Sequence, residues 1–470
     1  MRKSIIIEAM VIMKFGGSSL ANGERMERVA GIVESQREKS EVSVVLSAMK
    51  GVTDTLIELA EMAEEGDGSW RKSLEELGKL HLDTAESLLA DTSGVEKTVK
   101  EIEGLFGELE MILTGIELVK ECSPRSLDLV VSFGERSSCI LFAEYLGSRG
   151  TPAEMVDARD YIVTDDGFGG ASVDFPSTYA NLKGYFEGAG KTPVITGFIA
   201  RSRDGSTTTL GRNGSDYTAS IVGAAAEAER VEIWTDVDGV LSADPRIVPT
   251  AFVIPEINFQ ESMELSYFGA EVIHPHTMGP AVEKDITIYI KNTLNPEAPG
   301  TKIAREIRRH DRAITGIASI PGVALINVEG SGMMGVPGIA SRVFLALGKA
   351  RINVIMISQA SSEHSICIVI REKEARQALD ALENELRPEI NSKKIQNFDL
   401  MDKLEIVAVI GENMRGTPGI SGRLFSALGE EKVNVLAIAQ GSSERNISFV
   451  IADKDKDRAL NTLHRAFLGR

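Results

Sequence analysis

The chain has 470 residues, of which 43% are hydrophobic and 26% charged, and its formal net charge is −18. This length exceeds what one hydrophobic core usually organises, so two to four globular domains are expected. The negative charge argues against nucleic acid or a membrane surface as the partner, although a local cluster of basic groups can still bind a small anion.

The cysteines and the N-terminus bear on the compartment. Three cysteines lie far apart and form no CxxC pair: Cys122, Cys139 and Cys367. Such an odd, sparse count favours reduced thiols in the cytosol over a disulfide framework. Arg2 and Lys3 precede an apolar stretch, but Glu8 interrupts it and no small-residue cleavage site follows, which argues against a signal peptide. No apolar run reaches the length of a membrane span.

Roughly the first 300 residues alternate short apolar runs with longer amphipathic segments, which is typical of an α/β domain around a mainly parallel sheet. A helix is predicted from Glu24, where apolar residues recur at helical spacing. A charged, leucine-bearing stretch predicts a helical insertion at about residues 70–120. The runs interpreted as buried strands are Val11–Phe15, Val42–Leu46, Leu127–Phe133, Pro193–Phe198 and Val231–Thr235.

The C-terminal third contains an internal repeat. Val323–Ile370 aligns with Leu404–Ile451 without gaps, at a constant offset of 81 positions. In this alignment GVPGIASRVFLALG pairs with GTPGISGRLFSALG. Each copy is expected to run strand, glycine-rich loop, helix, strand, polar turn, strand, helix, and two such copies can bind ligands at a pseudo-symmetric seam. The charged stretch Arg305–Arg312 is the expected hinge before the repeat.

The segment KFGGSS follows the first predicted strand and is a candidate phosphate-binding loop. Gly16 and Gly17 allow a close backbone approach, and Lys14 supplies a point charge for phosphate oxygens. The segment is not a Walker A loop, so an ordinary tight turn remains the alternative.

The segment TTTLGRNGSDYTAS is a second candidate anion site. Glycines flank Arg212, and Ser215 or Asp216 is placed to cap an alanine-rich helix that runs to Ala228. A helix N-terminus beside an arginine binds anions through its dipole and its N–H donors. A capped helix with a solvated arginine is the alternative.

The segment IWTDVDGVLSADPR begins in a predicted strand. Ligands of open α/β sheets bind beyond the carboxyl ends of strands, which makes Thr235, Asp236 and Arg246 candidates. The carboxylates can hold a ribose hydroxyl or a nucleotide metal, and the arginine a phosphate; an aspartate-rich turn is the alternative. SFGERSS and SAMKGVTD also end apolar runs and are expected to form substrate loops.

In the order KFGGSS, SAMKGVTD, SFGERSS, TTTLGRNGSDYTA, IWTDVDGV and YFGAEVIHP, these motifs resemble those of aspartate kinases. The paired C-terminal copies resemble that family's two ACT domains, so the resemblance covers nearly everything from about Val11 onward. It implies the α/β amino-acid-kinase (carbamate-kinase-like) three-layer fold, followed by two ferredoxin-like ACT domains. The implied boundaries are 1–304 for the catalytic domain and 305–398 and 399–470 for the ACT domains.

The resemblance implies transfer of a phosphoryl group from ATP, with Mg²⁺, to L-aspartate, which is the first step towards lysine, methionine, threonine and isoleucine. Lys14 and Asp216 are the implied catalytic residues, and no protein metal ligands are assigned. The implied substrate contacts are Thr53, Glu135, Arg212 and Ser215. The implied ATP contacts are Lys14, Gly16, Gly17, Ser18, Thr235, Asp236 and Arg246. The sequence ends shortly after the second copy, so no fused homoserine dehydrogenase is expected on it.

Two positions depart from the family's usual pattern. Asn213 stands where GRGGSD has a glycine, and Glu271 stands where FGAKVLHP has a nucleotide-contacting lysine. A carboxylate repels a polyphosphate, which predicts weaker ATP binding unless Lys284 or Lys291 compensates. Two other functions stay open: another amino-acid kinase acting on glutamate or acetylglutamate, which would not normally carry two ACT copies, and a non-catalytic amino-acid sensor.

The repeat also predicts an effector site. Asn353 and Gln359 in the first copy are in register with Asn434 and Gln440 in the second. A glutamine amide both donates and accepts hydrogen bonds, so it can recognise an amino acid's polar groups; the alternative is that these residues only close turns. The segment QGSSERNISFV resembles the threonine-sensitive branch of the family, which implies inhibition by L-threonine in a cytoplasmic homodimer or dimer of dimers.

Overall fold

The computed structural model describes residues 10–90, 94–269, 275–308, 312–333, 336–359 and 364–469. The strands are β1 (Met10–Phe15), β2 (Glu41–Leu46), β3 (Ala153–Val156), β4 (Val163–Thr164), β5 (Thr192–Thr196), β6 (Ile199–Ser202), β7 (Thr207–Thr209), β8 (Arg230–Thr235), β9 (Glu256–Asn258), β10 (Thr287–Asn292), β11 (Thr301–Ala304), β12 (Gly316–Glu329), β13 (Met356–Gln359), β14 (Ser365–Arg371), β15 (Asn397–Ile410), β16 (Ala437–Gln440) and β17 (Asn446–Ala452). The helices are α1 (Gly23–Arg37), α2 (Val52–Glu65), α3 (Trp70–Leu89), α4 (Val95–Val119), α5 (Pro124–Ser148), α6 (Phe175–Gly188), α7 (Gly214–Ala225), α8 (Phe259–Tyr267), α9 (Gly279–Glu283), α10 (Ile339–Lys349), α11 (Ala375–Glu385), α12 (Arg387–Asn391), α13 (Ile420–Glu430) and α14 (Lys456–Phe467).

The chain divides into two compact units whose boundaries are not simple cuts in the sequence. The first unit contains the chain up to Val240, then Pro255–Phe259, and the segment that ends at Ile307. The second unit contains Leu241–Ile254, most of α8, and everything from Arg308 onward. The predicted boundary at 304/305 stays a prediction, and the structure adds that two short segments before it cluster with the second unit.

The first unit is organised by an eight-stranded sheet in the order β3-β5-β2-β1-β8-β10-β11-β9. The neighbours from β3 to β10 are parallel, and only the β10–β11 pairing is antiparallel, which confirms the predicted mainly parallel sheet. A small sheet, β4-β6-β7, lies beside it in the same unit.

Both faces of the main sheet are covered by helices. Along β1, Val11, Met13 and Phe15 belong to the core formed with α1 to α5. Ile12 points to the other face, where it lies near Gly223 of α7. In a strand that is buried on both faces, apolar and polar residues do not alternate, so its sequence is a continuous apolar run. The arrangement is the predicted three-layer fold.

One predicted strand is wrong: Leu127–Phe133 lies inside the helix α5. The helix begins where the Ser123 side chain accepts a hydrogen bond from the Ser126 N–H, with Pro124 in the first turn. The apolar run is buried on several sides of the helix, since Val130, Val131 and Phe133 are all in the core. Periodicity alone cannot distinguish such a run from a buried strand. Helices α3 and α4 occupy most of the predicted helical insertion.

The second unit has a six-stranded antiparallel sheet in the order β13-β14-β12-β15-β17-β16. Its two central strands are long, and each is divided between two cores. Val323–Glu329 pairs with β14 in the core that contains α10 and α11, whereas the β12 residue Ile317 belongs to the core with α13 and α14. The pairing register between β12 and β15 shifts after Ile320, at Pro321 and Gly322, because proline has no N–H to donate to the ladder.

The sheet of each repeat copy is therefore completed by the strand segment that precedes the aligned sequence of the other copy. The first half of β12, before the first copy, pairs with the second half of β15. The first half of β15, before the second copy, pairs with the second half of β12. The ACT boundaries at 305–398 and 399–470 remain a prediction. Because the strands of the two copies are interleaved, any single cut in the sequence separates a strand segment from the sheet to which it belongs.

Candidate active site

The loops after β1 and β2 meet the start of α7 and the middle of α5 in the first unit. The loop after β1 approaches Ala48 so closely at Gly17 that a Cβ there would lie 3.0 Å from the Ala48 carbonyl oxygen. Helix α5 approaches the same residue at Gly134, where a Cβ would lie 2.8 Å from Ala48 Cβ. The Ser138 hydroxyl donates a hydrogen bond of 2.8 Å to the Ser47 carbonyl. SFGERSS was predicted to form a substrate loop, but it lies inside the helix α5, where it packs against the SAMKGVTD segment.

Lys14 and Asp216 form the ion pair at the centre of this cluster. Lys14 Nζ lies 2.6 Å from Asp216 Oδ1, and the two side chains are only 11% and 8% exposed. Asp216 is in the first turn of α7, where the helix dipole favours a negative charge. Asp216 and Ser215 lie inside the helix and do not cap it, which corrects the sequence prediction.

The N-cap of α7 is Asn213, in the left-handed region with φ of 55°. Asparagine tolerates this conformation better than most residues. Asn213, which stands where the family usually has a glycine, therefore has a backbone conformation that both glycine and asparagine adopt. The departure does not disturb the start of the helix.

Glu135 is a buried carboxylate beside this ion pair. Its side chain is 3% exposed, and Oε1 accepts a 3.1 Å hydrogen bond from the Ala48 N–H. Burial raises the pKa of Glu135 to about 8, a rise that the Ala48 N–H and the positive charge of Lys14 partly oppose. The other oxygen, Oε2, has no hydrogen-bond partner among the residues that the structure describes. A cation entering the site would meet an unused acceptor.

The other predicted substrate residues, Ser215, Arg212 and Thr53, differ in their burial and in their contacts. Ser215 packs on Gly197, where a Cβ would lie 2.6 Å from the serine Cβ. Arg212 is exposed, and its guanidinium has no ion-pair or hydrogen-bond partner within the described ranges. Thr53 is half-buried in the first turn of α2. The arginine is thus available to a ligand.

Two of the predicted nucleotide residues lie next to the β1 loop. The Trp234 carbonyl accepts a 3.3 Å hydrogen bond from the Gly16 N–H, and Thr235 ends the same strand, β8. The Thr235 hydroxyl donates to Asp236 Oδ1 at 3.2 Å. Lys291 lies with its Nζ 5.0 Å from the centre of the Trp234 ring. Gly16, Gly17 and Ser18, half-buried in the loop after β1, complete this edge of the sheet.

Arg246 is placed differently. It belongs to the second compact unit, its side chain is 88% exposed, and its guanidinium lies 2.7 Å from Asp244. The geometry of the first unit therefore does not include it. Glu271, the other position that concerned the nucleotide, lies outside the described residues.

In the second unit a cavity of about 300 Å³ lies between the glycine-rich loop and the following strands of the first repeat copy. Gln359, which was predicted to bind an effector, is one of the lining residues, whereas Asn353 is exposed and is not among them. The lining residues are Met333, Val336, Pro337, Gly338, Ile339, Ala340, Gln359 and Ile366. Gly338 has φ of 94°, which turns the loop into the start of α10. In the second copy, Asn434 and Gln440 are also exposed.

Comparison with known proteins agrees with this geometry. Residues 9–292 match the amino acid kinase family, and residues 326–386 and 407–467 match the ACT domain. The chain belongs to the amino acid kinase family. Aspartokinase 2, chloroplastic, of Arabidopsis thaliana is 36% identical over 98% of this chain and 84% of that relative. The predicted family resemblance is thereby confirmed.

Longer relatives and solved structures point the same way. Bifunctional aspartokinase/homoserine dehydrogenase 1, chloroplastic, of A. thaliana is 38% identical over 98% of this chain and 51% of that relative. The chain thus spans about half the length of the bifunctional relatives it matches. E. coli aspartokinase III in complex with aspartate and ADP has a TM-score of 0.80 at 31% identity, covering 98% of this chain and 100% of that one. Clostridium acetobutylicum aspartate kinase has a TM-score of 0.79 at 28% identity, with the same coverage.

The described residues form neither a membrane-spanning helix nor a metal-binding group of side chains. None of their helices is both long and apolar enough to cross a membrane. Nor do they contain a group of three or more His, Cys, Asp or Glu side chains placed to hold a metal ion.

One buried carboxylate near the site, Asp128, was not predicted from the sequence. It lies seven residues before Glu135 on α5, which places the two on the same side of the helix. The signal available in the sequence was this spacing, but the mistaken strand prediction for Leu127–Phe133 concealed it.

Proposed function

We propose that this chain is an aspartate kinase, which transfers the γ-phosphoryl group of ATP to the side-chain carboxylate of L-aspartate. The observation that carries the proposal is the convergence of Lys14, Asp216 and Glu135 at the carboxyl edge of a parallel sheet, beside an exposed Arg212. Phosphoryl transfer requires chiefly positioning and charge stabilisation, and these side chains can supply both. Relatives named as aspartokinases support the choice of aspartate as the substrate.

Each side chain has a role that suits its charge. Lys14 neutralises negative charge on the phosphoryl group during transfer, and Asp216 holds the Lys14 ammonium in place through their ion pair. Arg212 binds the substrate's α-carboxylate through its planar, forked guanidinium. Glu135 binds the α-ammonium group with its unused Oε2. Thr53 and Ser215 complete the substrate contacts.

ATP binds at the edge formed by the Gly16–Ser18 loop, Thr235 and Asp236, with Mg²⁺ as its counter-ion. Mg²⁺ in such sites is usually held by one or two carboxylates together with substrate phosphates. This suits the described residues, which lack a dedicated metal cluster and offer the carboxylate of Asp236 near the nucleotide edge. When bound, Mg²⁺ would supply charge neutralisation at the phosphates. Arg246 remains a proposed phosphate contact on the strength of the resemblance alone.

The first test is substrate-dependent turnover. Purified protein with ATP and Mg²⁺ should form ADP with aspartate, and much less ADP with glutamate, N-acetylglutamate or buffer alone. Trapping with hydroxylamine should yield an aspartyl hydroxamate, since the product is an acyl phosphate. Lys14→Met should abolish both signals; because it leaves Asp216 buried without its partner, its thermal midpoint should fall, and circular dichroism at the assay temperature checks that the variant is folded. ADP formation that is independent of aspartate, or no turnover at all, would contradict the proposal.

We also propose that L-threonine inhibits the enzyme through the repeated C-terminal half, in a homodimer or dimer of dimers in the cytoplasm. The cavity lined by Gln359 supports a small amino-acid ligand there, and the three free cysteines suit a reducing compartment. A structure of E. coli aspartokinase III with lysine and aspartate in the T-state is a neighbour of this fold, with a TM-score of 0.79. Inhibition requires the effector to bind active and inactive states with different affinity.

The effector test is a titration of threonine, lysine and methionine into wild type, Gln359→Ala and Gln440→Ala. Threonine is expected to inhibit the wild type, and each substitution to raise the concentration needed. Gln377→Ala serves as the matched control, since this glutamine is exposed on α11 and does not line the cavity. Inhibition by lysine alone would reject threonine as the effector and leave the kinase proposal intact.

A further inference from the structure

Asp128 on α5 is buried, with 3% exposure, and its carboxylate accepts hydrogen bonds from three donors, one of which is shared between its two oxygens. The Gly169 N–H lies 3.1 Å from Oδ1 and 3.0 Å from Oδ2. The Thr209 N–H donates to Oδ2 at 3.0 Å, and the Thr209 hydroxyl donates to Oδ1 at 2.9 Å. All of these partners donate, so the ionised carboxylate, which only accepts, satisfies them together.

These contacts join two segments that flank the Arg212 turn. Thr209 ends β7, three residues before Arg212. Gly169 lies in a loop after β4, and the Ala171 N–H in that loop donates to the Thr209 carbonyl at 2.9 Å. The same loop touches the arginine's neighbour, because a Cβ on Gly211 would lie 3.5 Å from Gly170 Cα. Asp128 therefore fixes the strand that leads into the turn and the loop that packs against it.

We infer that Asp128 is a positioning residue for Arg212, an inference that rests on the proposed function. The Arg212 guanidinium has no protein partner in the described part of the chain, so only its backbone determines where this long, flexible side chain is presented. Without Asp128, the strand that leads into the turn and the loop that packs against Gly211 lose their shared anchor. A substrate carboxylate would then meet an arginine in several orientations, and small misplacements of this kind cost substantial rate.

The first test is Asp128→Asn, which keeps the shape of the side chain but replaces one acceptor oxygen with an NH₂ group. At least one buried N–H then loses its acceptor, a change expected to raise the aspartate KM about tenfold or more. The KM for ATP should stay within about twofold, because the contacts lie on the substrate side. Thr209→Val removes the hydroxyl contact alone and should act in the same direction more weakly. It also keeps the test available if Asp128→Asn does not fold.

Two further measurements separate positioning from general stability. Val130→Ala, in the buried core on the same helix, should lower Tm without raising the aspartate KM. In a double-mutant cycle, Asp128→Asn should add little to the loss of aspartate kcat/KM caused by Arg212→Ala, because the first residue acts through the second.

The outcomes distinguish the two proposals. A wild-type chain without aspartate-dependent turnover overturns the proposed function and the positioning role together. An active wild type in which the two substitutions multiply their losses overturns the positioning role alone. An Asp128→Asn variant that raises the ATP KM as much as the aspartate KM also rejects it, since the effect would then be a general loss of structure.

Discussion

Glu135 makes the proposed enzyme sensitive to pH in a specific way. Burial raises the pKa of this carboxyl from 4.5 to about 8 in the absence of ligand. The proposed role, binding the substrate's ammonium group, requires the ionised form. At neutral pH most of the free enzyme therefore carries a proton on Glu135 that substrate binding must displace.

The magnitude follows from the ionised fraction of the free enzyme. The pH dependence of kcat/KM reports the free enzyme's groups, so kcat/KM for aspartate should rise about 25-fold between pH 6.5 and 8.5 with an apparent pKa of about 8. Glu135→Gln keeps an oxygen for the Ala48 N–H but cannot ionise. Its kcat/KM should be low and nearly independent of pH over the same range.

The folded state should show the same titration without substrate. Because the folded pKa is raised, the stability that this group contributes is present below pH 4.5 and is lost as the pH rises through 8. The upper limit of the loss is about 5 kcal/mol. At pH 8.5, Glu135→Gln should therefore melt at a higher temperature than wild type, and the difference should vanish near pH 4.5.

Two assays decide the question. Steady-state ADP formation between pH 6.5 and 8.5 gives the profile, and calorimetric titration of aspartate in buffers of different ionisation enthalpy should detect close to one proton released at pH 7. A flat wild-type profile, or binding without proton release, would refute the reasoning. In that case Glu135 would be ionised in the free enzyme despite its burial.

Three further predictions concern single side chains. Lys14→Ala should lower kcat about 100-fold or more with little change in the aspartate KM, because its charge matters most during transfer; a change in KM alone would assign it to ground-state binding. Arg212→Lys should lower aspartate kcat/KM at least about tenfold, since a point charge cannot replace a bidentate fork, and a loss below about threefold would place the carboxylate contact elsewhere. His81 is fully buried, and burial lowers its pKa, so the stability that it contributes is present above pH 6.5 and is lost as the pH falls. The melting temperature should therefore fall less between pH 7.5 and pH 5.5 in His81→Leu than in wild type.

Much of the first unit could be predicted because its central strands are buried between two helical layers. β1, β2, β5 and β8 read as short continuous apolar runs, and their observed bounds lie close to the predicted ones. The same rule failed at Leu127–Phe133, where a helix buried on several sides produces an equally continuous run. The signals that identify this helix were local: the Ser123 cap and Pro124.

The site was less accessible to sequence reasoning. Lys14, Glu135 and Asp216 are each separated by dozens of residues or more, and no spacing rule brings them together; only the family resemblance did. The contact between α5 and the β2 loop depends on Gly134, whose missing side chain matters only once the neighbouring loop is known. Besides the mistaken strand prediction, distance along the chain concealed Asp128, since its three donors come from segments about 40 and 80 residues away.

The repeat illustrates how an accurate sequence pattern can still leave a structural boundary undetermined. An alignment detects only the sequence that the two copies share, and this shared sequence begins at Val323 in the first copy and at Leu404 in the second. The strand segments before these positions are not alike, yet each completes the sheet of the other copy through the β12–β15 ladder. Neither copy can therefore be excised at 398/399 without removing a strand segment from both sheets. Unfolding of the two copies should be coupled, because the backbone hydrogen bonds that one copy loses belong to strands that continue into the other.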